Sequence, residues 1–330
     1  MAKNLKASVI VSNYQGMEFL PKCLDHLARQ TYPNFEIILV DAGSSDGSAD
    51  FVQQNFPAVT LVRCGKMGIG EAINIGIKKS TGDIIVFDVN TDEYVEPNWL
   101  EELIKQLERH HFNIITGTTR IVFETELIDE AGVKLNLLGR AKKLGHLKNV
   151  KNFEFSREPV DFVGSPAFHR SLVEKIGYVD EIFYIYAEDL EFCHRAKLAG
   201  IKTYCAPKAR SYHHVRGSIG QNTRRLQYYL TRANIRFQLI YSKPSKLFMN
   251  LIYNCIVLPF YSLAVAMLRM KKSPLYHDKL IGRLNAINWN FKNLKKTLMY
   301  RRKAKILKGK YHSIINNKHN AICRRRVSEG

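Results

Sequence analysis

Residues 30–48 read QTYPNFEIILVDAGSSDGS, and the order of residue types along this stretch decides the fold. Tyr32-Pro33-Asn34 is a turn signal that ends whatever precedes it. Glu36 to Asp41 is a β-branched-rich run of buried-strand length, and Asp41 to Ser48 has the glycines and short polar residues of a tight turn that then caps a helix. The same strand signal recurs on both sides, at Ala7 to Ser12 (ASVIVS), Thr60 to Arg63, and Asp83 to Asp88 (DIIVFD). Between the first two strands, Phe19, Leu20, Cys23, Leu24 and Leu27 fall at helical spacing, and further helices fit Gly70 to Ser80 and Pro97 to Arg109. Alternating strands and helices imply βαβ units, hence a mostly parallel sheet with ligands outside the carboxyl ends of its strands. Asp41 and Asn90-Thr91-Asp92 sit at such ends. Residues 110–160 are less periodic, carry Gly132, Gly139 and Gly145 among basic residues, and read as strands and a loop.

At 330 residues and 45% hydrophobic content the chain can bury a sizeable core. Its net charge of +20 is unevenly placed. Residues 1–200 carry 22 Lys and Arg against 28 Asp and Glu, whereas residues 201–330 carry 28 against 2. A basic region of this kind meets an anionic surface, either a nucleic acid or anionic lipid, and composition alone does not choose. The six cysteines lie far apart, with no zinc spacing and no disulfide framework. The N-terminus, MAKNLK and then a strand, is no secretion signal, so the catalytic half is expected to face the cytoplasm.

Farther on, Ile201 to Ala206 reads as a strand and Asn222 to Tyr241 as a basic helix. Leu247 to Leu268 is an uncharged run flanked by Lys243 and Lys246 before it and by Arg269, Lys271 and Lys272 after it. That length spans a bilayer, but Asn250, Asn254 and Pro259 weaken a span, and an interfacial or re-entrant hairpin and a buried pair of core helices stay open. The tail from Lys292 to Arg326, rich in Lys and Arg with Tyr and Ile between, has the composition of a segment lying on anionic headgroups.

Two acidic motifs carry the chemistry. Asn90-Thr91-Asp92 closes a buried strand, and Tyr186 to Arg195 (YAEDLEFCHR) opens a helix nearly a hundred residues later. A carboxylate at a strand end can hold a divalent cation against a phosphate, and one at a helix N-terminus can take a proton from a hydroxyl.

With QTYPNFEIILVDAGSSDGS (30–48), GIGEAINIGI (68–77), TGDIIVFDVNTD (81–92), GYVDEIFYIYAEDLEFCHR (177–195) and PKARSYH (207–213) in this order, the chain resembles the family-2 glycosyltransferases of GT-A fold, most closely their rhamnosyltransferase-like branch. The resemblance covers roughly residues 7–235. It implies a Rossmann-like α/β nucleotide-diphospho-sugar transferase domain with a mostly parallel central sheet over residues 1–240, and the composition of residues 241–330 adds a basic, partly apolar helical region expected to associate with membrane. It implies that Asp41 contacts the nucleotide base with Ser12 nearby, and that Asp92, assisted by Asn90, holds a Mg²⁺ or Mn²⁺ ion. It further implies that Asp189 is the general base of an inverting transfer, with Glu188 orienting the acceptor or the base, and that His213 lies near metal and diphosphate. Arg195 reads as a structural salt-bridge partner and His214 as surface, while Arg216 and Ser218 are candidate phosphate contacts. Lys66 departs from the branch and is similar to the lysine-glycine loops of polyprenyl-phosphate sugar synthases. Ser12-Asn13-Tyr14 replaces the usual Thr-Tyr-Asn, so the donor is left open.

The expected activity is transfer of a sugar from a nucleoside-diphosphate sugar to a hydroxyl of a lipid-linked or surface-glycan acceptor, at the cytoplasmic face of the cell membrane. A polyprenyl-phosphate glycosyl synthase is the second reading. A processive synthase is disfavoured because Arg225 follows Gln221-Asn222-Thr223-Arg224 where Trp would complete a Gln-x-x-Arg-Trp motif. A nucleic-acid-binding protein would use the basic third but leave the acidic motifs unexplained.

Overall fold

The computed structural model describes residues 5–136, 139–214, 223–268 and 274–306. Its N-terminal half alternates as the hydrophobic runs require: β1 (Ala7–Asn13), α1 (Leu20–Ala28), β2 (Phe35–Asp41), α2 (Ser48–Asn55), β3 (Thr60–Arg63), α3 (Ile69–Lys79), β4 (Ile84–Asn90), a short β5 (Glu93–Val95) and α4 (Trp99–Arg109). β1, β2 and β4 are β-branched and buried on both faces, which is why they lie in the middle of a helix-covered sheet.

The second half adds β6 (Ile114–Val122), β7 (Ile128–Glu130), β8 (Val133–Leu135), β9 (Ala141–Lys143), β10 (Gly164–His169), α5 (Ser171–Ile176), α6 (Glu188–Leu198) and β11 (Lys202–His213). Helices α7 (Thr223–Tyr241), α8 (Pro244–Ile252), α9 (Leu258–Leu268) and α10 (Pro274–Lys292) follow, with a π-helical turn at Tyr253–Val257 between α8 and α9. Arg216, Ser218 and the tail beyond residue 306 lie outside the described residues.

The main sheet runs β3-β2-β1-β4-β10-β6-β11-β5, with β7 on β6. Its first four strands are parallel, in the register Val9↔Ile37 and Val9↔Val86. Beyond β4 the sheet is mixed rather than mostly parallel, because β10 enters antiparallel between β4 and β6 after the irregular 123–163 segment. β11 is twice the length of the strand read from Ile201 to Ala206 and continues to His213, pairing with β6 and then with β5. The chain moves from β1 to β2 and β3 on one side and returns to β4 on the other, so the strand order reverses at β1/β4. Loops part there and leave a crevice at the carboxyl ends.

Two apolar layers sandwich the sheet. One gathers Leu24, Leu27, Trp99, Leu103 and Leu107 from α1 and α4, and the other Ile73, Ile77, Phe168, Phe192 and Cys193 from α3, β10 and α6. A third cluster joins Ile182, Phe183 and Leu190 to Ala233, Phe237 and Ile240 of α7. The C-terminal helices are thereby fixed against the loop that precedes α6.

Candidate active site

The crevice at β1/β4 holds a cavity of about 110 Å³ whose walls include Ser12, Lys66, Asn90, Thr91, Tyr184 and Arg225. One wall belongs to the strand-end acidic motif and the facing wall to the loop that leads into α6. Ser12, Lys66 and Asn90 therefore meet as the sequence predicts. Asp41 does not line this cavity. Its Oδ1 accepts from Asn13 Nδ2 at 2.7 Å and from Ser44 Oγ at 2.6 Å, and its Oδ2 from Ser44 N at 3.0 Å, so it ties the strand ends together beneath the floor. Gly43 (φ +81°) makes that tie possible, since a Cβ there would stand 3.0 Å from Lys66 N.

Arg225, the residue that breaks the Gln-x-x-Arg-Trp pattern, reaches the cavity from α7. Sequence reasoning did not select it as a site residue. The available signal was a run of cations, Arg224-Arg225, beginning a helix shortly after His213.

Around the motif Asn90-Thr91-Asp92 the backbone is bulged. Asp88 in β4 (φ +59°) lies where the register with β1 slips, and Ser165 in β10 (φ +45°) lies where the register with β6 slips. Bulges at a strand end re-aim side chains, and here the two are joined: Ser165 Oγ donates to Asp88 O at 3.3 Å. β5 then folds Glu93 fully into the core, where Arg120 Nη2 donates to its Oε2 at 3.0 Å and Ser211 Oγ to its Oε1 at 2.5 Å. Although burial opposes ionisation, the Arg120 guanidinium holds the Glu93 carboxyl below the usual range. This buried pair pins Asp92, the residue before Glu93, to β6 and β11.

Asp92 is 1% exposed and faces His213, with Nε2 3.7 Å from Oδ1. The other ring nitrogen, Nδ1, lies 3.1 Å from Asp129 Oδ2, and Lys143 Nζ donates to Asp129 Oδ1 at 2.6 Å. Against the cost of burial, His213 and Lys143 hold Asp129 well below the carboxylate range, so it stays ionised and draws the imidazole proton to Nδ1. The Nε2 lone pair is then aimed beside Asp92. An oxygen and an imidazole nitrogen so placed would serve as a donor pair for Mg²⁺ or Mn²⁺, with the carboxylate behind the histidine as its orienting partner. Among the described residues no three His, Cys, Asp or Glu side chains form a metal-binding group, so other ligands would come from substrate phosphate and water. His214 is not a plain surface residue. It is half-buried, stacked on Phe123 with ring centroids 3.7 Å apart and edged against Tyr94.

The second acidic motif opens α6. Tyr186 (φ +67°) and Ala187 (φ +68°) are consecutive left-handed residues without being glycines, a conformation costing about 1–3 kcal/mol each. The loop is held by packing: Ile69 N donates to Tyr184 O at 2.8 Å, and a Cβ on Gly68 would sit 2.8 Å from that same oxygen. Glu188 is 5% exposed, and its Oε2 has no hydrogen-bond partner among the described residues. Burial, with the charges of Asp88 and Asp189, pushes its carboxyl well above the ordinary range. Asp189 is half-buried, and burial together with Glu130 pushes it up to about 6. Burial and Asp189 raise Asp88 as well. Arg120 offsets part of this for Asp88, Glu130, Glu188 and Asp189 alike, so one guanidinium anchors the whole acidic group.

Glu130 directly follows Asp129, the partner of His213, in β7, so the group reaches from Asp189 to the Asp92–His213 pair. The two acidic motifs share one end of the sheet. Arg195, as expected, is structural: it clamps Glu191 at 2.6 and 2.9 Å and caps Ile176 O and Tyr178 O.

A model of the family described as "Glycosyl transferase family 2" matches residues 8–177, which is more than half of the chain. The chain belongs to glycosyl transferase family 2. Among curated relatives it is 35% identical over 114 residues to the glycosyltransferase GlyG of Streptococcus pneumoniae, covering 33% of this chain and 38% of GlyG. It is 26% identical over 231 residues to the O-antigen biosynthesis protein RfbC of Myxococcus xanthus, covering 63% of this chain and 17% of RfbC. The chain thus spans less than half the length of these relatives. Among solved structures, residues 1–349 of S. aureus TarS superpose with a TM-score of 0.51 at 19% identity, over 94% of this chain and 92% of that one. The Pyrobaculum calidifontis mannosyltransferase PcManGT, solved with GDP-Man and Mn²⁺, gives 0.54 at 18% identity, over 91% and 86%. At these identities the structural likeness establishes the GT-A fold alone.

Proposed function

We propose that this family-2 protein is an inverting glycosyltransferase that moves a sugar from a nucleoside diphosphate to a hydroxyl of a lipid-linked or surface-glycan acceptor. The observation that carries the reading is Asp189: a carboxyl in the first turn of α6, pushed up to about 6 by burial and Glu130, that follows the loop whose Tyr184 and Ile185 line the cavity together with Asn90 and Thr91. A base of that strength is ionised at neutral pH yet basic enough to accept a proton in the transition state. In the proposed step Asp189 takes the acceptor hydroxyl's proton as its oxygen attacks the anomeric carbon from the face opposite the diphosphate. A single in-line displacement inverts the configuration.

The other residues hold the donor. Ser12 and Asn90 offer hydrogen bonds within the cavity, and Lys66 and Arg225 set positive charge beside a diphosphate. Glu188, which favours its protonated form, can donate a hydrogen bond to the acceptor. Asp92 and His213, assisted by Asn90, would hold a Mg²⁺ or Mn²⁺ ion, which when bound offsets the charge of the departing nucleoside diphosphate. A polyprenyl phosphate, the acceptor suggested by Lys66, is already ionised near neutral pH and needs no base. The elevated Asp189 therefore favours a hydroxyl.

A thermal-shift panel of nucleoside diphosphates, with and without Mn²⁺, tests the donor site. UDP and GDP come first, because the neighbouring structures carry UDP and GDP-Man. A ligand at a hundred times its dissociation constant adds about 2.7 kcal/mol. A metal-dependent shift for one base supports the reading, and no shift with any of them refutes it.

A further inference from the structure

The segment after α7 is a helix with its polarity reversed. Asn250, Asn254 and Ser262 are turned inward, 0%, 5% and 1% exposed, while Phe248, Phe260 and Met267 stand 67%, 67% and 62% exposed. The inward groups are engaged: Asn254 Nδ2 donates to Asn234 Oδ1 at 3.3 Å, and Arg283 Nη1 reaches Leu258 O at 3.2 Å. An apolar face this continuous marks a partner that is itself apolar. By length and composition Pro244–Val265 suffices to cross a membrane.

A crossing is nonetheless excluded by its neighbour. α10 packs along both α9 and α7 and carries Asp278, Lys279 and Arg283, so the return limb is too charged to accompany α9 through hydrocarbon. Cations border the apolar face instead. Lys243 and Lys246 lie at its start, and the helical run 294–306, tied through Arg301 to Leu239 O and Ser242 O just before α8, exposes Lys295 and Arg302 with Leu298, Met299 and Ile306. Such a mixture suits the headgroup boundary of an anionic bilayer. A second copy of the chain fits poorly, because it would bring these two basic borders together.

We propose that α8, the π-helical turn and α9 form an interfacial hairpin lying in the plane of an anionic bilayer, its aromatic and methionine side chains among the acyl chains and its basic borders on the headgroups. The proposal does not depend on the catalytic assignments.

The test uses the full chain and vesicles of phosphatidylcholine with or without phosphatidylglycerol. Flotation is expected with the anionic vesicles, falling about tenfold without phosphatidylglycerol and again for the Phe248→Ser, Phe260→Ser double variant, whose melting temperature stays at the wild-type value. In a Phe260→Trp protein, bromines near the headgroup should quench the added fluorescence more than bromines near the chain terminus. Failure to float with anionic vesicles would overturn the proposal. So would stronger quenching by the deep bromines, which means a span, or a soluble dimer that shields the Phe260→Trp indole from vesicles.

Discussion

Replacing Glu130 with Gln perturbs the proposed base without touching it. Glu130 is buried at the end of β7, and its charge is the main contributor, after burial itself, that lifts Asp189 to about 6. Burial raises Glu130 as well, so it repels Asp189 only where it is ionised; there Gln keeps the shape and removes the charge, and Asp189 falls while burial keeps it above the ordinary value near 3.9. A drop of about one unit corresponds to about 1.4 kcal/mol of removed repulsion. A fall of about one unit takes the ionised fraction of Asp189 at about pH 5.5 from about one quarter to about three quarters, a roughly threefold rise in kcat/KM at that pH. Near pH 8 both proteins are fully ionised, and the variant should be no faster, its base being weaker. The assay is kcat/KM for sugar transfer from pH 4.5 to 8.5. An acid limb that stays at about 6, or moves upward, would refute the electrostatic argument.

Other outcomes follow from the same contacts. His213→Ala should remove most of the Mn²⁺-dependent thermal stabilisation by a nucleoside diphosphate, and Asp129→Asn should weaken it by about 10- to 100-fold in metal concentration, because Asp129 sets the ring's tautomer. Equal metal response in all three proteins would show that the pair binds no ion. Arg120→Met strands the Glu93 carboxylate in the core and should cost about 3–5 kcal/mol in denaturant unfolding. In whatever fraction folds, the acid limb should move above 6, since Arg120 lowers Asp189; a loss below 1 kcal/mol would mean that the ion pair does not anchor the site.

The parallel half of the sheet was legible because β1, β2 and β4 are buried on both faces and spell their burial in unbroken Val and Ile runs. Helix α1 declared itself by apolar spacing, and α4 by Pro97 just before its first turn. The antiparallel entry of β10 was not legible, since Gly164 to His169 (GSPAFH) is short and barely periodic and its place depends on partners far away in sequence. The site residues at strand and helix ends could be named in advance, yet what tunes them could not. Asp88 reads as the last residue of a strand, and only the bulge turns it toward Asp189. Arg120 and Glu93 look like ordinary strand residues until the fold buries one against the other. Asp41 shows the converse, where a motif position is engaged in holding strand ends together. In the run 247–268, hydropathy gave the apolar length, but which side faced inward required the packing of Asn250, Asn254 and Ser262 against α7 and α10.

The most direct measurement of the central claim follows transfer from a sugar donor labelled at its anomeric carbon, by NMR, with wild-type protein and with Asp189→Asn. The first-formed product should carry the anomeric configuration opposite to the donor's, and Asp189→Asn should lower turnover by about 10²- to 10⁴-fold while nucleoside diphosphate affinity stays at the wild-type value. Retained configuration, or an Asp189→Asn protein that turns over at the wild-type rate, would contradict the account.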